Sequence, residues 1–587
     1  MKTPAEDGIV VRGAAPAREA AAGKPEGAGS PAPVSARRLE WLLWAVNFLM
    51  IVAFAVFAVA QSVDALYFDD ITLGSLLPAE DGTTPGFRAF LSPHNFSRPV
   101  TWRVLGVLAL YPLRFSPRLY SLLPCVAVIL VSLLMLRFIA DRSRTRLWSL
   151  VTWTAVNCLL LSFVHEVSVC WGACLGNILP LPFAIGLLIW YRRCRTTTGR
   201  IAGYAVAVTL AIASNGNGVC VAVLLPAGAF SGPWRKRVGW WLLPVIVGVL
   251  FYRYYLPRRA FATAEGIDVG RAATFFFTAL GHVFGQQALP SMAFGILALL
   301  LFVGIAIELL IRKKLVEYLP TLLLGAFGLL SVLMLAAGRH RNLEHALIWR
   351  YSIFELGFLV PLVVLVSRRF FSTGSRFASA AMCCGFLLGF YVFQSIAVSD
   401  ALARSPYFSK EVRTLAKEAL EFSNVMPRHP ALKLACPGWE PAAVSTRAKP
   451  FFRHGIMRYR IADRVVTGRN PRRLARGGFD TCVRMEDGTL RVSGWSLNDA
   501  GARDRVLFLA HYEDGRVEPV GLLFTGGHRP DVAEHFGSAR YEQSGFCGRL
   551  FPSDQDPQPF SVSAWVVHPE GRRLTRLPGP MIPVPVD

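Results

Sequence analysis

Residues 37–70 read RRLEWLLWAVNFLMIVAFAVFAVAQSVDALYFDD. Two arginines open the stretch, an apolar run follows from Leu39 to Ser62, and an acidic pair, Asp69-Asp70, comes just after it. The run exceeds the roughly 20 residues a helix needs to cross a bilayer. Arg37-Arg38 should hold its first end in the cytoplasm, because basic loops stay inside. Asp69-Asp70 then lies on the outer side. The run is too long for the apolar core of a signal peptide, and no cleavage pattern follows it. Residues 1–37, rich in Ala, Gly and Pro, read as a disordered cytoplasmic tail.

The same alternation continues outward. Of the 587 residues, 53% are hydrophobic, and the mean hydropathy is +0.41. Spans are expected at 39–62, 118–139, 146–164, 172–191, 201–214, 217–231, 238–256, 288–311, 317–337, 347–367 and 377–397, about eleven in all. The loops on one side carry Arg142-Ser143-Arg144, Arg192-Arg193, Arg235-Lys236-Arg237, Arg312-Lys313-Lys314 and Arg368-Arg369. The opposite loops carry acids, histidines and asparagines. Asn215-Gly216-Asn217-Gly218 divides two short apolar pieces and suggests half-helices, which are tolerated at membrane depth where they line a cavity or are buried in protein. The stretch 100–115 reads as a surface helix, since a crossing there would invert every later loop. A net charge of +23 would ordinarily raise nucleic acid as a partner. Here the positive-inside rule accounts for it, and no RNA-binding motif, zinc-finger spacing or basic helix is present.

Three further segments follow from the change in pattern. Residues 38–397 form the multi-pass domain. Residues 398–478 read as a linker with a helix over 400–422, where Val412, Leu415, Ala416, Leu420 and Phe422 recur near helical spacing. Residues 479–587 read as an antiparallel β-sandwich, with short alternating runs and hairpin turns at Asp487-Gly488 and Asp514-Gly515. The eleven cysteines show no metal-ligand spacing. A Cys482–Cys547 disulfide is one option for an extracytoplasmic domain.

The candidate chemistry gathers on the outer side. Asp69 and Asp70 suit a general base or a ligand for Mg²⁺ or Mn²⁺; the plainer reading is a solvated cap on the helix Ile71–Leu77. His94 can orient an acceptor or join a metal site. Asn95 lies beside it, and Arg98 can clamp a phosphate. His165-Glu166 reads more readily as structural. Asn217 sits in the interrupted apolar stretch. Arg339, Arg341, Arg350 and Tyr351 surround the start of a late span, where an arginine usually has an anionic partner.

This layout resembles the GT-C superfamily of membrane glycosyltransferases, and more narrowly a group of bacterial multi-pass proteins. The resemblance rests on Phe68-Asp69-Asp70, His94-Asn95, Gly216-Asn217-Gly218, Gly338-Arg339 and Arg350-Tyr351, and covers about residues 60–370. That group often carries Glu-His-Arg after the His-Asn pair, where this chain has Phe96-Ser97-Arg98. Gly494-Trp495, Arg529-Pro530-Asp531 and Gly545-Phe546 look like a small β-domain appended to surface-polysaccharide enzymes. The resemblance implies an enzyme of the bacterial inner membrane with a cytoplasmic N-terminus and a periplasmic or extracellular β-domain. It implies a lipid-linked sugar donor, a glycan acceptor and membrane lipids as partners. The alternatives are a transporter or flippase, or a non-catalytic assembly factor.

Overall fold

The computed structural model describes residues 34–225 except 67, 80, 94–97, 143–144 and 195; 246–251 except 248; 268–370 except 285–286 and 348–350; positions 389, 391 and 392; and, with short interruptions, 410–457 and 476–583. Helices dominate up to residue 453: α1 (Val34–Gln61), α2 (Val100–Leu110), α3 (Leu123–Ala140), α4 (Arg146–Leu160), α5 (Pro180–Arg193), α6 (Thr197–Ser214), α7 (Val269–Leu280), α8 (Ala288–Ile311), α9 (Leu315–Arg339), α10 (Ser352–Phe370), α11 (Lys410–Glu421) and α12 (Pro441–Arg453).

Among the described residues, five stretches are long and apolar enough to cross a membrane: Arg37–Gln61, Pro117–Ala140, Gly172–Arg193, Ala288–Ile311 and Leu315–Arg339. A sixth arises if Arg146–Leu160 and Phe163–Val169, bent by 41°, count as one. Of the roughly eleven expected spans, five or six are seen among the described residues. The expected spans at 238–256 and 377–397 lie largely outside the described residues. The pair 201–214 and 217–231 is broken: α6 stops where Asn215 turns extended, and Gly216–Leu224 continues as a 3₁₀ helix. Helix α2 has 11 residues, about 16 Å at 1.5 Å per residue, too short to cross. The stretch read as an outer loop over 257–287 contains the apolar helix α7.

The long helices leave wide apolar faces uncovered. Only 28% of α1's apolar window and 22% of that of α8 is buried within the protein, and Trp41, Phe48, Leu289, Leu300 and Ile311 are exposed. Contiguous apolar surface of this extent marks contact with a membrane, so the helical part is membrane-embedded. Among the described residues, arginines of four basic loops gather at one end. Arg312 and Arg369 both reach Glu308 at 2.9 Å, and Arg368 reaches Glu317 at 3.1 Å. Burial, then the nearby Arg192 and Arg368, lower the Arg142 guanidinium to about 10.

Polar groups stitch the first spans together. Asn157 donates to Asn47 (2.7 Å), Asn47 donates to Thr154 (2.7 Å), Ser132 donates to Asn157 (2.6 Å), and the Trp153 indole donates to the Ser132 carbonyl (2.9 Å). Such bonds are favoured between helices in lipid, where no water competes for them. Gly328 permits the closest helix contact: a Cβ there would lie 2.1 Å from the Phe358 backbone nitrogen, bringing α9 against α10.

Helix α12 lies on the 3₁₀ segment Phe68–Leu76, where a Cβ on Gly74 would meet the Arg447 carbonyl at 2.4 Å. Beyond it come β1 (Gly477–Arg484), β2 (Leu490–Ser496), β3 (Arg505–His511), β4 (Val517–Phe524), β5 (Gly545–Leu550), β6 (Ser561–Val567), β7 (Leu574–Arg576) and β8 (Ile582–Pro583). One sheet runs β1-β2-β5; the other runs β4-β3-β6-β7, with β8 also on β6. Every pairing between these strands is antiparallel. Phe479 and Phe546 meet Phe508 edge-on from the opposite sheet, at 5.6 and 5.7 Å, within one shared core. The expected sandwich is therefore present. The turns at Asp487-Gly488 and Asp514-Gly515 lie outside the described residues. Cys482 and Cys547 are both free thiols, one buried and one exposed. They sit on strands separated by β2 and face opposite sides of the sheet, so the disulfide option is dropped. Burial pushes the Cys482 thiol up to about 11.

Candidate functional site

Phe68 adopts a left-handed backbone, with φ of 48°. A bulky residue rarely does so without compensation, and such strain collects at functional sites. Its amide donates to the Ala435 carbonyl at 2.7 Å, and its ring leans on Trp171 at 5.4 Å. The turn sends the two following carboxylates to different places. Asp69 is half-buried. Asp70 is 2% exposed, and the Tyr120 hydroxyl donates to it at 3.0 Å. Tyr120 in turn accepts from the Trp102 indole at 2.7 Å. A Cβ on Gly172 would lie 2.1 Å from the Tyr120 ring, so glycine at 172 lets Tyr120 reach the acid.

Asp70 lines a cavity of about 20 Å³ with Ser121, Val167, Cys170, Trp171 and Arg413. That volume suits one water, and a sugar could enter only if the walls part. Arg413, from α11, pairs with Glu166 at 2.5 Å, and both are buried. Residues 166 and 70 thus flank one arginine supplied by the segment after the membrane domain. The sequence carried one unused signal for it: residues 413, 416 and 420 share a helical face, so Arg413 interrupts the apolar stripe of Ala416 and Leu420.

The neighbouring residue faces the other way. His165 is wholly buried; its Nε2 meets the Leu159 carbonyl at 2.9 Å and its Nδ1 meets the Ser352 hydroxyl at 2.6 Å. A carbonyl can only accept, so Nε2 carries the proton and Ser352 donates to Nδ1. Deeper still, Glu355 lies 3.6 Å from His282, both buried. His165-Glu166, read from sequence as structural, is the junction between two buried polar clusters.

The other expected residues divide. His94, Asn95 and Arg350 lie outside the described residues. Arg98 donates to the Leu91 carbonyl at 2.6 Å. Buried Arg103 donates to the carbonyls of Phe90 (2.9 Å) and Ser92 (2.5 Å), so the two arginines secure the segment before α2. Arg339 sits over the Tyr351 ring at 5.6 Å. Neither residue lines the cavity beside Asp70. Asn217 is buried, its Oδ1 without a hydrogen bond among the described residues. The described donors do not by themselves make a Mg²⁺ or Mn²⁺ site: Asp70 is turned to Tyr120, and no group of three His, Cys, Asp or Glu converges among the described residues. Tyr120, Trp102, Arg413, His282 and Glu355 were not singled out from sequence; each acquires meaning only through a distant partner.

Compared with known proteins, the chain matches no family model, no curated protein and no solved structure.

Proposed function

We propose that this chain is a GT-C-like membrane glycosyltransferase that moves a sugar from a polyprenyl-phosphate donor onto an envelope glycan at the outer face of the bacterial inner membrane. The observation that carries the reading is the strained turn at Phe68, which presents one half-buried carboxylate and locks its neighbour. Asp69, nearer solvent, is the base. It takes the proton from an acceptor hydroxyl as that oxygen bonds to the anomeric carbon, and the phosphate leaves with the electron pair of the broken bond. Asp70, held by Tyr120 and facing Arg413 across the cavity, fixes the turn. Arg339 and Arg350 are the candidates to meet the phosphate.

The test is surface-glycan composition in a deletion strain restored with wild type, Asp69→Asn or Asp70→Asn. The expected result is a missing sugar that returns with wild type and stays absent with Asp69→Asn at normal protein level. General-base loss predicts a rate drop of about 10²–10⁴-fold. Full restoration by both single variants and the double variant would overturn the assignment.

One observation favours a transporter instead: the Glu355–His282 pair is buried among the helices, and such intramembrane groups often mark ion pathways. If Glu355→Gln removes the whole polymer while Asp69→Asn does not, transport is the better reading.

A further inference from the structure

The opposite, arginine-bearing end contains an opening that the proposed reaction does not use. A groove of about 480 Å³ lies between α1, α3 and α4, walled by Leu133, Leu136 and Leu150 and edged by Trp44, Arg137 and Arg146. A second hollow of about 270 Å³ adjoins it, formed by Arg37, Glu40, Trp41 and again Trp44 and Arg146. The two share Trp44 and Arg146 and so form a continuous surface.

The sequence explains why these groups converge. Positions 37, 41 and 44 follow one helical face of α1, and 133, 136/137 and 140 follow one face of α3. Arg146 opens α4 and lies 6.0 Å over the Trp44 ring. Arg137 bonds Asp141 at 3.1 Å yet remains half exposed. Three arginines therefore face the hollows against one lining carboxylate, Glu40. The Trp44 indole nitrogen has no hydrogen-bond partner among the described residues. Trp41, 77% exposed, stands beside the charges, as interfacial tryptophans do at headgroup level.

Apolar walls running into a cationic, aromatic mouth match one kind of occupant. We propose that this groove binds an anionic phospholipid, its phosphate between Arg37, Arg137 and Arg146 and an acyl chain along Leu133, Leu136 and Leu150. The chemistry separates the two ends of the protein: the acidic turn at Asp69-Asp70 faces one membrane surface, and this cationic groove holds lipid at the other. Basic pockets between spans recognise anionic headgroups in this manner, and a basic residue near an anionic membrane surface contributes about five-fold in affinity.

The test uses the purified full chain in detergent, titrated with short-chain phosphatidylglycerol and, separately, phosphatidylcholine, with tryptophan fluorescence and native mass spectrometry as readouts. Saturable binding of phosphatidylglycerol, weaker by about 25-fold in Arg37→Gln/Arg146→Gln, is the expected result. Leu133→Trp, which fills the groove and keeps every charge, should also weaken it. Glycerol phosphate distinguishes a lipid from a free phosphate: binding as tight as that of the lipid would overturn the proposal. So would equal affinity for the two lipids, or unchanged binding in both variants once each elutes as a folded species.

Discussion

The helical and β regions bury different things. Around the helices, Asp70, Arg103, His165, Glu166, His282, Glu355 and Arg413 are all buried. In the sandwich, the buried polar residues among those described are Ser496, Thr525, Ser544, Ser561, Ser563 and Thr575, hydroxyls without charge. Its ionic groups stay outside: Arg529 forks to Asp480 at 2.9 Å and Asp531 at 2.8 Å, with each partner substantially exposed. Burying charge is costly unless it is paired. Among the described residues, the fold does so repeatedly in the helical region and not in the sandwich.

The sharpest way to break that comparison is Arg413→Met. It leaves Glu166 buried without its cation and should cost about 3–5 kcal/mol. Adding Glu166→Met should recover most of the loss. Thermal unfolding in detergent measures both, and a single-variant cost below 1 kcal/mol would mean that the pair is not desolvated. In the sandwich the comparable loss must come from apolar truncation: Phe508→Ala, at the centre of three rings, should cost about 3–5 kcal/mol, read from strand-region amide protection. Tyr120→Phe removes the hydroxyl between Trp102 and Asp70, and with it one buried hydrogen bond to each, for about 1–3 kcal/mol. Cysteine-accessibility or melting experiments should show loosening of the Phe68 turn while the sandwich is unchanged.

The smallest effect belongs to Arg529→Ala, since exposed ion pairs contribute about 0–1 kcal/mol. It carries a pH signature. The hydrogen bond from Arg529 holds Asp531 at about 2, below its usual 3.8. A depressed folded value stabilises above the unfolded value and is lost as pH falls through the folded one. Wild type and Arg529→Ala should therefore converge between about pH 4 and pH 2. Curves that stay parallel through that window would show that the fork contributes nothing to folding.

Legibility followed the range of each interaction. The Leu39–Ser62 run announced its helix because length and composition are local. Asn215-Gly216-Asn217-Gly218 announced a break because glycine and asparagine leave helices readily. The alternation after Phe479 announced strands through a period of two. Not every expected span among the described residues is one long crossing, because apolarity alone does not distinguish a crossing from a short buried piece such as Gly216–Leu224. Asp69 and Asp70 were conspicuous in the sequence as an acidic pair after an apolar run, but their division into a half-buried and a buried carboxylate was not, since it depends on Tyr120 and Arg413.

By itself, then, the sequence determined the membrane-embedded helices, the sorting of arginines to one end and the β-sandwich at the other terminus. These rest on solvent preference and backbone periodicity, which each segment carries alone. Only the tertiary structure decided that Arg413 returns to Glu166 and to the cavity beside Asp70, that His165 bonds Ser352, and that Cys482 and Cys547 face apart. Each depends on where segments far apart in the chain come to rest, and the free energy of a buried charge or hydrogen bond is set by the partner it finds there.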